Sequence, residues 1–145
     1  MKKTLLIALV AFATVLAVSC KEKEVEPEDN TLKLPGTSWS FNLNTTLYGS
    51  NVLLNDTLNI LDDKTYDRDF DISASGFQKE MHASSGYTWD GTYLTLLDSV
   101  GQPTSIVLTY RESDSVFFRN AGDDADMAQI FALMGISEVV YKRIK

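Results

Sequence analysis

Between residues 65 and 72 every second side chain is bulky. Tyr66, Arg68, Phe70 and Ile72 alternate with Thr65, Asp67, Asp69 and Asp71. A period of two puts one set on one face of an extended strand and the acidic set on the other. The same grammar recurs along the chain. Trp39, Phe41 and Leu43 alternate with Ser38, Ser40 and Asn42. Leu54, Leu58 and Ile60 share a parity opposed to Asn55, Thr57 and Asn59. In residues 86–97 two short runs of aromatic, β-branched and leucine residues flank Asp90-Gly91. Asp-Gly predicts a type I′ hairpin turn, because that turn needs positive φ at both central residues.

The remaining segments continue the pattern. Asp62-Asp63-Lys64, Gly101-Gln102-Pro103 and Glu112-Ser113-Asp114 read as turns, and residues 44–51 and 73–76 as loops. Phe77, Met81 and Ala83 suggest a weaker strand that runs through Ser84-Ser85 into the Asp-Gly hairpin. Ile106, Leu108 and Tyr110, then residues 116–119, then residues 139–144 supply the last strands. One segment departs from the period. In residues 123–134, Met127, Ile130, Phe131 and Met134 fall at helical spacing, Asp123 or Asp124 is available as N-cap, and Gly135 follows the end. That helix is expected to lay its apolar stripe on a barrel wall or over a barrel mouth. About eight short strands with one apolar face must close on themselves or stack as two sheets. About 110 residues suffice for one such core.

The ends are not part of that core. Residues 1–19 read as a secretory leader, with Lys2 and Lys3 before an apolar run too short for a stable membrane span. Leu16-Ala17-Val18-Ser19-Cys20 resembles a bacterial lipobox, which implies a lipid, such as palmitate, on Cys20 as the first mature residue and attachment to a membrane. Residues 21–30 are charged and interrupted by Pro27, so they read as a tether. An acidic run after a lipidated cysteine resembles the surface-export signal of some Gram-negative lipoproteins, which implies the outer membrane, facing out. The expected division is leader 1–19, lipidated cysteine and tether 20–33, and folded domain 34–145. Cys20 is the only cysteine, so the domain has no internal disulfide and depends on its core. The formal charge is −7, and loss of Lys2 and Lys3 with the leader makes it −9. Such acidity argues against nucleic acid as a partner.

Four motifs carry a family resemblance: Leu34-Pro35-Gly36-Thr37-Ser38-Trp39, Leu58-Asn59-Ile60-Leu61-Asp62-Asp63-Lys64-Thr65-Tyr66, Gly86-Tyr87-Thr88-Trp89-Asp90-Gly91 and Val140-Tyr141-Lys142-Arg143-Ile144. From Leu34 to the end the chain resembles the lipocalin-like domains of bacterial lipoproteins, within the calycin group. The resemblance implies an all-β, eight-stranded antiparallel meander barrel with one short helix before the last strand, often holding a cavity. Gly36 and Trp39 are spaced one residue wider than the Gly-x-Trp of lipocalins proper. The Trp is nevertheless expected to plug the barrel floor, with Arg143 across it as a cation–π partner. The opening also resembles META-type envelope domains, but their Gly-Cys-Asn turn is absent.

Arg68 has the parity of Tyr66, Phe70 and Ile72, which puts a guanidinium on an apolar face. There it needs an anion, which a ligand carboxylate can supply through a bidentate fork; otherwise it must snorkel to solvent or lie at a bulge. Trp39, Phe41, Tyr66, Phe70, Tyr87, Trp89, Tyr110 and Phe118 form the expected inward aromatic set, as cavity lining or as plain core. Arg68, Tyr66, Phe70, Trp39, Trp89 and Tyr110 are the ligand-binding candidates. His82 shares the solvent parity of Gln78 and Glu80, without companions for a zinc site or a catalytic triad. The aspartates of residues 62–71 lack the spacing of a calcium loop. Asp56-Thr57-Leu58, Asp98-Ser99-Val100 and Asp114-Ser115-Val116 resemble the Asp-Ser/Thr-aliphatic sites of O-glycan attachment in some Gram-negative anaerobes. The leading expectation is a non-catalytic, cofactor-free and metal-free envelope lipoprotein that binds or carries a small apolar or amphipathic molecule. The alternative is a packed barrel that serves as a protein-interaction module, as an envelope-complex subunit or an enzyme inhibitor.

Overall fold

The structure is a computed structural model and describes residues 32–145. The expected leader, Cys20 and most of the expected tether lie outside the described residues. Eight antiparallel strands follow one another around a closed barrel: β1 (Ser38–Leu47), β2 (Ser50–Ile60), β3 (Thr65–Ala74), β4 (Phe77–Trp89), β5 (Tyr93–Leu97), β6 (Pro103–Arg111), β7 (Val116–Asn120) and β8 (Glu138–Arg143). A 3₁₀ turn (Ala121–Asp123) and a short helix, α1 (Ala128–Leu133), stand between β7 and β8.

The parity of the sequence survives into the barrel. Trp39, Leu54, Leu58, Ile60, Tyr66, Phe70 and Ile72 are buried, and of their alternating neighbours only Ser40 is. Removing such side chains from water is the main favourable term in folding, worth about 1.5–3 kcal/mol for each large apolar residue. Phe117 is the inward member of its pair, wholly buried opposite Tyr141, and Phe118 turns outward beneath the guanidinium of Arg111 at 4.8 Å. The inward assignment of Phe118 is therefore corrected. In a five-residue strand with adjacent phenylalanines the parity is set by the partner strand, and Phe117 pairs with the inward Tyr141.

The wall of the barrel is uneven. β1 through β4 are long strands, and β1–β2, β2–β3 and β3–β4 pair over most of their lengths. Closure depends on much shorter ladders. β1 meets β8 only at Trp39↔Arg143 and Ser40↔Lys142, and β4 meets β5 only over Tyr87, Thr88 and Trp89. The far halves of β1 to β4 thus rise beyond the closed belt as a curved four-stranded sheet. Among the described residues no strand pairs with the outer edge of β4 from Phe77 to Ser84, and at Ser85 the hydroxyl donates to the Asp98 carbonyl.

Three connections differ from expectation. The segment of residues 44–51 is a tight hairpin rather than a loop, because Tyr48 and Gly49 both hold positive φ (51° and 79°) and a two-residue turn suffices. Its exposed face carries Asn44, Thr46 and Asn51, while Thr45 shares the inward parity of its partner Val52. The loop at residues 73–76 likewise contracts to Ser75-Gly76, with Ala74 paired to Phe77. Asp90-Gly91 does not form a type I′ turn: only Gly91 has positive φ. Instead the Asp90 carboxylate accepts the N–H groups of Thr92 and Tyr93 at 2.9 and 2.7 Å, which satisfies the loop from within. Asp62 does the same for Lys64 and Thr65.

The helical segment is shorter than its periodicity suggests. Asp124 accepts from the N–H groups of Asp126 and Met127 and so organises the turn before α1. At the other end Gly135 (φ 70°) and Ile136 donate back to Ala132 and Phe131, a Schellman ending. Phe131 is buried edge-on to the inward-facing Phe41, with ring centres 6.4 Å apart. The helix therefore covers the barrel mouth, not its outer wall.

Candidate functional site

The interior has two storeys of different chemistry. The lower one is aromatic. Trp39 is fully buried, and its indole N–H donates to the Thr37 hydroxyl at 2.8 Å. Phe117 lies edge-on to Trp39 at 4.7 Å and to Trp89 at 5.6 Å, and Tyr110 stands 5.4 Å from Phe117. Such edge-to-face pairs add about 0.5–1.5 kcal/mol each beyond their burial. Arg143 lies over the Trp39 ring at 6.0 Å. Trp39, Trp89 and Tyr110 are thus brought together, as a packed floor. The Trp89 indole N–H is buried with no hydrogen-bond partner among the described residues.

The upper storey is charged. Arg68 points inward, as its parity requires, and donates through Nε (2.8 Å) and Nη2 (2.6 Å) to the two carboxylate oxygens of Asp56. The hydroxyl of Tyr141 donates to Asp56 Oδ2 at 2.6 Å. Asp56 is 1% exposed and the Arg68 side chain 12%. The anion that Arg68 needed therefore comes from β2, not from a ligand. Its Nη1 makes no hydrogen bond among the described residues and remains available as a donor. Burial alone would weaken the hold of Arg68 on its proton, but the hydrogen bonds and charge of Asp56 outweigh it and the guanidinium stays charged. Burial, reinforced by Asp56, pushes the Tyr141 phenol well above its ordinary range, so Tyr141 is a donor at every physiological pH.

A second ion pair shares this interior. Arg119 Nη2 lies 2.6 Å from Asp124 Oδ2 with 2% of the arginine side chain exposed. Burial opposes ionisation of Asp124, yet Arg119 and the Met127 and Asp126 N–H groups hold its carboxyl below the usual range. The fields of the two pairs overlap, since Asp124 acts on Arg68 and Arg119 acts on Tyr141.

Asp56, Tyr141, Arg119 and Asp124 are the residues that sequence reasoning did not connect. Asp56 has the parity of Leu54 and Leu58, and that was the available signal. Its Thr57 neighbour lies within a strand, while Ser99 and Ser115 of the other Asp-Ser motifs sit in exposed turns. His82 is exposed, opposite Asp69 across the β3–β4 ladder, and their side chains meet at 2.7 Å. That hydrogen bond raises the His82 pKa above 6.5.

The upper storey is reached from the side. Beyond Tyr87 the split between β4 and β5 leaves the inward face of β4 in solvent: Phe77 is 53% and Met81 41% exposed. A recess of about 460 Å³ there is lined by Arg68, Phe70, Glu80, Met81, His82 and Ala83. Arg68 and Phe70 thus border an open site. Tyr66 does not join them; it is buried lower, and its hydroxyl donates to the Leu97 carbonyl at 3.2 Å.

The class defined by this architecture is the closed eight-stranded antiparallel β-barrel capped by a short helix. No family model, curated protein or solved structure matches the chain.

Proposed function

We propose that this domain binds a small amphipathic molecule, laid along the exposed inner face of β4 with its hydrogen-bond-accepting end at Arg68 Nη1. The supporting observation is the lateral recess itself, where apolar Phe70, Met81 and Ala83 stand beside a guanidinium whose Nη1 is unused. Asp56 already neutralises Arg68, so the head group is recognised as an acceptor rather than as a counter-charge; a hydroxyl or carbonyl serves as well as a carboxylate. Binding is non-catalytic. In this reading the barrel is a lipocalin-like lipoprotein, held at the outer membrane surface by a lipid on Cys20. The packed aromatic floor favours a second reading, an interaction module whose interior holds nothing, because Trp39 and Phe117 leave no exposed surface there.

Calorimetric titration with dodecanol and dodecanoate separates the two. The ligand reading expects both to bind, and Met81→Asp to weaken each about tenfold or more, the loss of an apolar contact of about 1.5 kcal/mol. Met81 is exposed, so the substitution leaves the fold intact. Absence of binding by the unmodified protein to either probe overturns the ligand reading.

A further inference from the structure

We infer that β4 is the pairing edge of a two-fold dimer, in which β4 of one copy aligns antiparallel with β4 of a second copy, centred on Met81. An unpaired strand edge is a template for another strand, and natural sheets usually cover or disarm it. Here, among the described residues, the edge from Phe77 to Ser84 is uncovered, and residues 77–84 are exposed.

The sequence of the edge selects the partner and the register. In a two-fold antiparallel pair, residues directly opposite each other point to the same face. Centring on Lys79, Glu80 or His82 sets that residue against its own copy. Centring on Met81 instead sets Glu80 against His82 of the second copy, twice, on the outer face. On the inner face it sets Met81 against Met81 and Lys79 against Ala83. Lys79, an inward-pointing charge of the kind that guards edges, then meets a small neutral residue.

Backbone geometry agrees. The two-residue turn Ser75-Gly76 makes Ala74↔Phe77 a hydrogen-bonded pair, so the inward residues of β4 direct their N–H and C=O groups to β3. The outward residues Gln78, Glu80, His82 and Ser84 therefore carry theirs on the free edge. In the Met81 register Glu80 and His82 become hydrogen-bonded partners between copies, and the two Met81 residues form the closer, non-hydrogen-bonded pair. The dimer joins the two projecting sheets into one and brings the two recesses beside each other. It does not depend on the ligand reading, because it uses the strand edge and not the face.

Cysteine-substitution scanning of the full chain, one position at a time, tests this. Lys79, Glu80, Met81, His82 and Ala83 are each changed to Cys, the protein is mildly oxidised, and covalent dimer is measured on non-reducing gels. The wild-type chain, whose only cysteine is Cys20, is the control. Dimer should be several-fold higher for Met81→Cys than for any other position or for wild type, because a non-hydrogen-bonded pair brings the Cα atoms within disulfide reach. His82→Pro removes a free-edge donor without breaking a backbone bond to β3; it also loses the exposed His82–Asp69 side-chain contact, which Asp69→Asn removes on its own as the control. His82→Pro should convert the species to monomer in light scattering while the thermal melt stays cooperative. A monomeric wild type throughout the scan overturns the inference. So do a maximum at another residue, which indicates a different register, and cross-linking only to a different protein or to the residues before 32.

Discussion

Replacing Asp56 with Leu tests the centre of the molecule. Asp56 holds Arg68 through both carboxylate oxygens and accepts from Tyr141, and it is 1% exposed. Its loss leaves a guanidinium without its counter-charge and a buried hydroxyl without an acceptor. Breaking a buried pair from one side costs about 3–5 kcal/mol, and a hydrogen bond to a charged group is worth about 1.5–3 kcal/mol. The two are not additive, because Arg68 and Tyr141 share Oδ2. Arg68 also keeps 12% of its side chain open to water through the recess, which softens the penalty. The expected loss is about 4 kcal/mol. With an m-value of about 2 kcal/mol per molar urea, the midpoint falls by roughly 2 M. Fluorescence of the buried Trp39 follows the transition. The triple variant Asp56→Leu, Arg68→Met, Tyr141→Phe removes every polar group of the cluster and should recover most of the loss, since apolar replacement of a buried ion pair is often neutral. An Asp56→Leu variant within about 1 kcal/mol of wild type, or a triple variant no more stable than the single, would refute this reasoning.

Three further outcomes follow from the same geometry. Asp124 ionises at lower pH in the folded domain than its ordinary 3.8, so its contribution is present above that value and lost as pH falls through the lower folded value. Urea midpoints should therefore drop more steeply below pH 4 for wild type than for Asp124→Asn. His82 is the only histidine, and Asp69 raises its pKa. The stability it contributes is complete below 6.5 and lost as pH rises through the folded value; an NMR titration should place that value above 6.5, and Asp69→Asn should return it. Gly135→Ala puts a Cβ on a left-handed residue with φ 70° and should cost about 1 kcal/mol in denaturant unfolding without altering the barrel.

Side-chain parity made much of the barrel legible. The alternation at residues 65–72 gave β3 and the inward direction of Arg68, because a strand has only two faces. The partner of Arg68 was harder to read. Asp56 declares its face by parity, but its meeting with Arg68 depends on the β2–β3 register, in which Leu58 opposes Arg68 and Asp56 opposes Phe70. Tyr141 lies 85 residues further along and reaches Asp56 only once β8 closes on β1. Adjacent aromatics defeat parity where a strand is short, as with Phe117 and Phe118. Helical spacing from Met127 to Met134 was real, but Asp124 serves Arg119 and the preceding turn, so the regular helix starts only at Ala128. The split beside β4 is a mismatch of strand lengths, thirteen residues in β4 against five in β5, and no local signal announces what remains uncovered.

The most direct test of the proposed function is native mass spectrometry of the protein purified gently from its own host. An additional mass, lost on denaturation and much reduced in Met81→Asp, is the expected result. A polypeptide carrying only covalent modifications, with no probe or extract component retained by the unmodified protein, would contradict a ligand at the β4 recess.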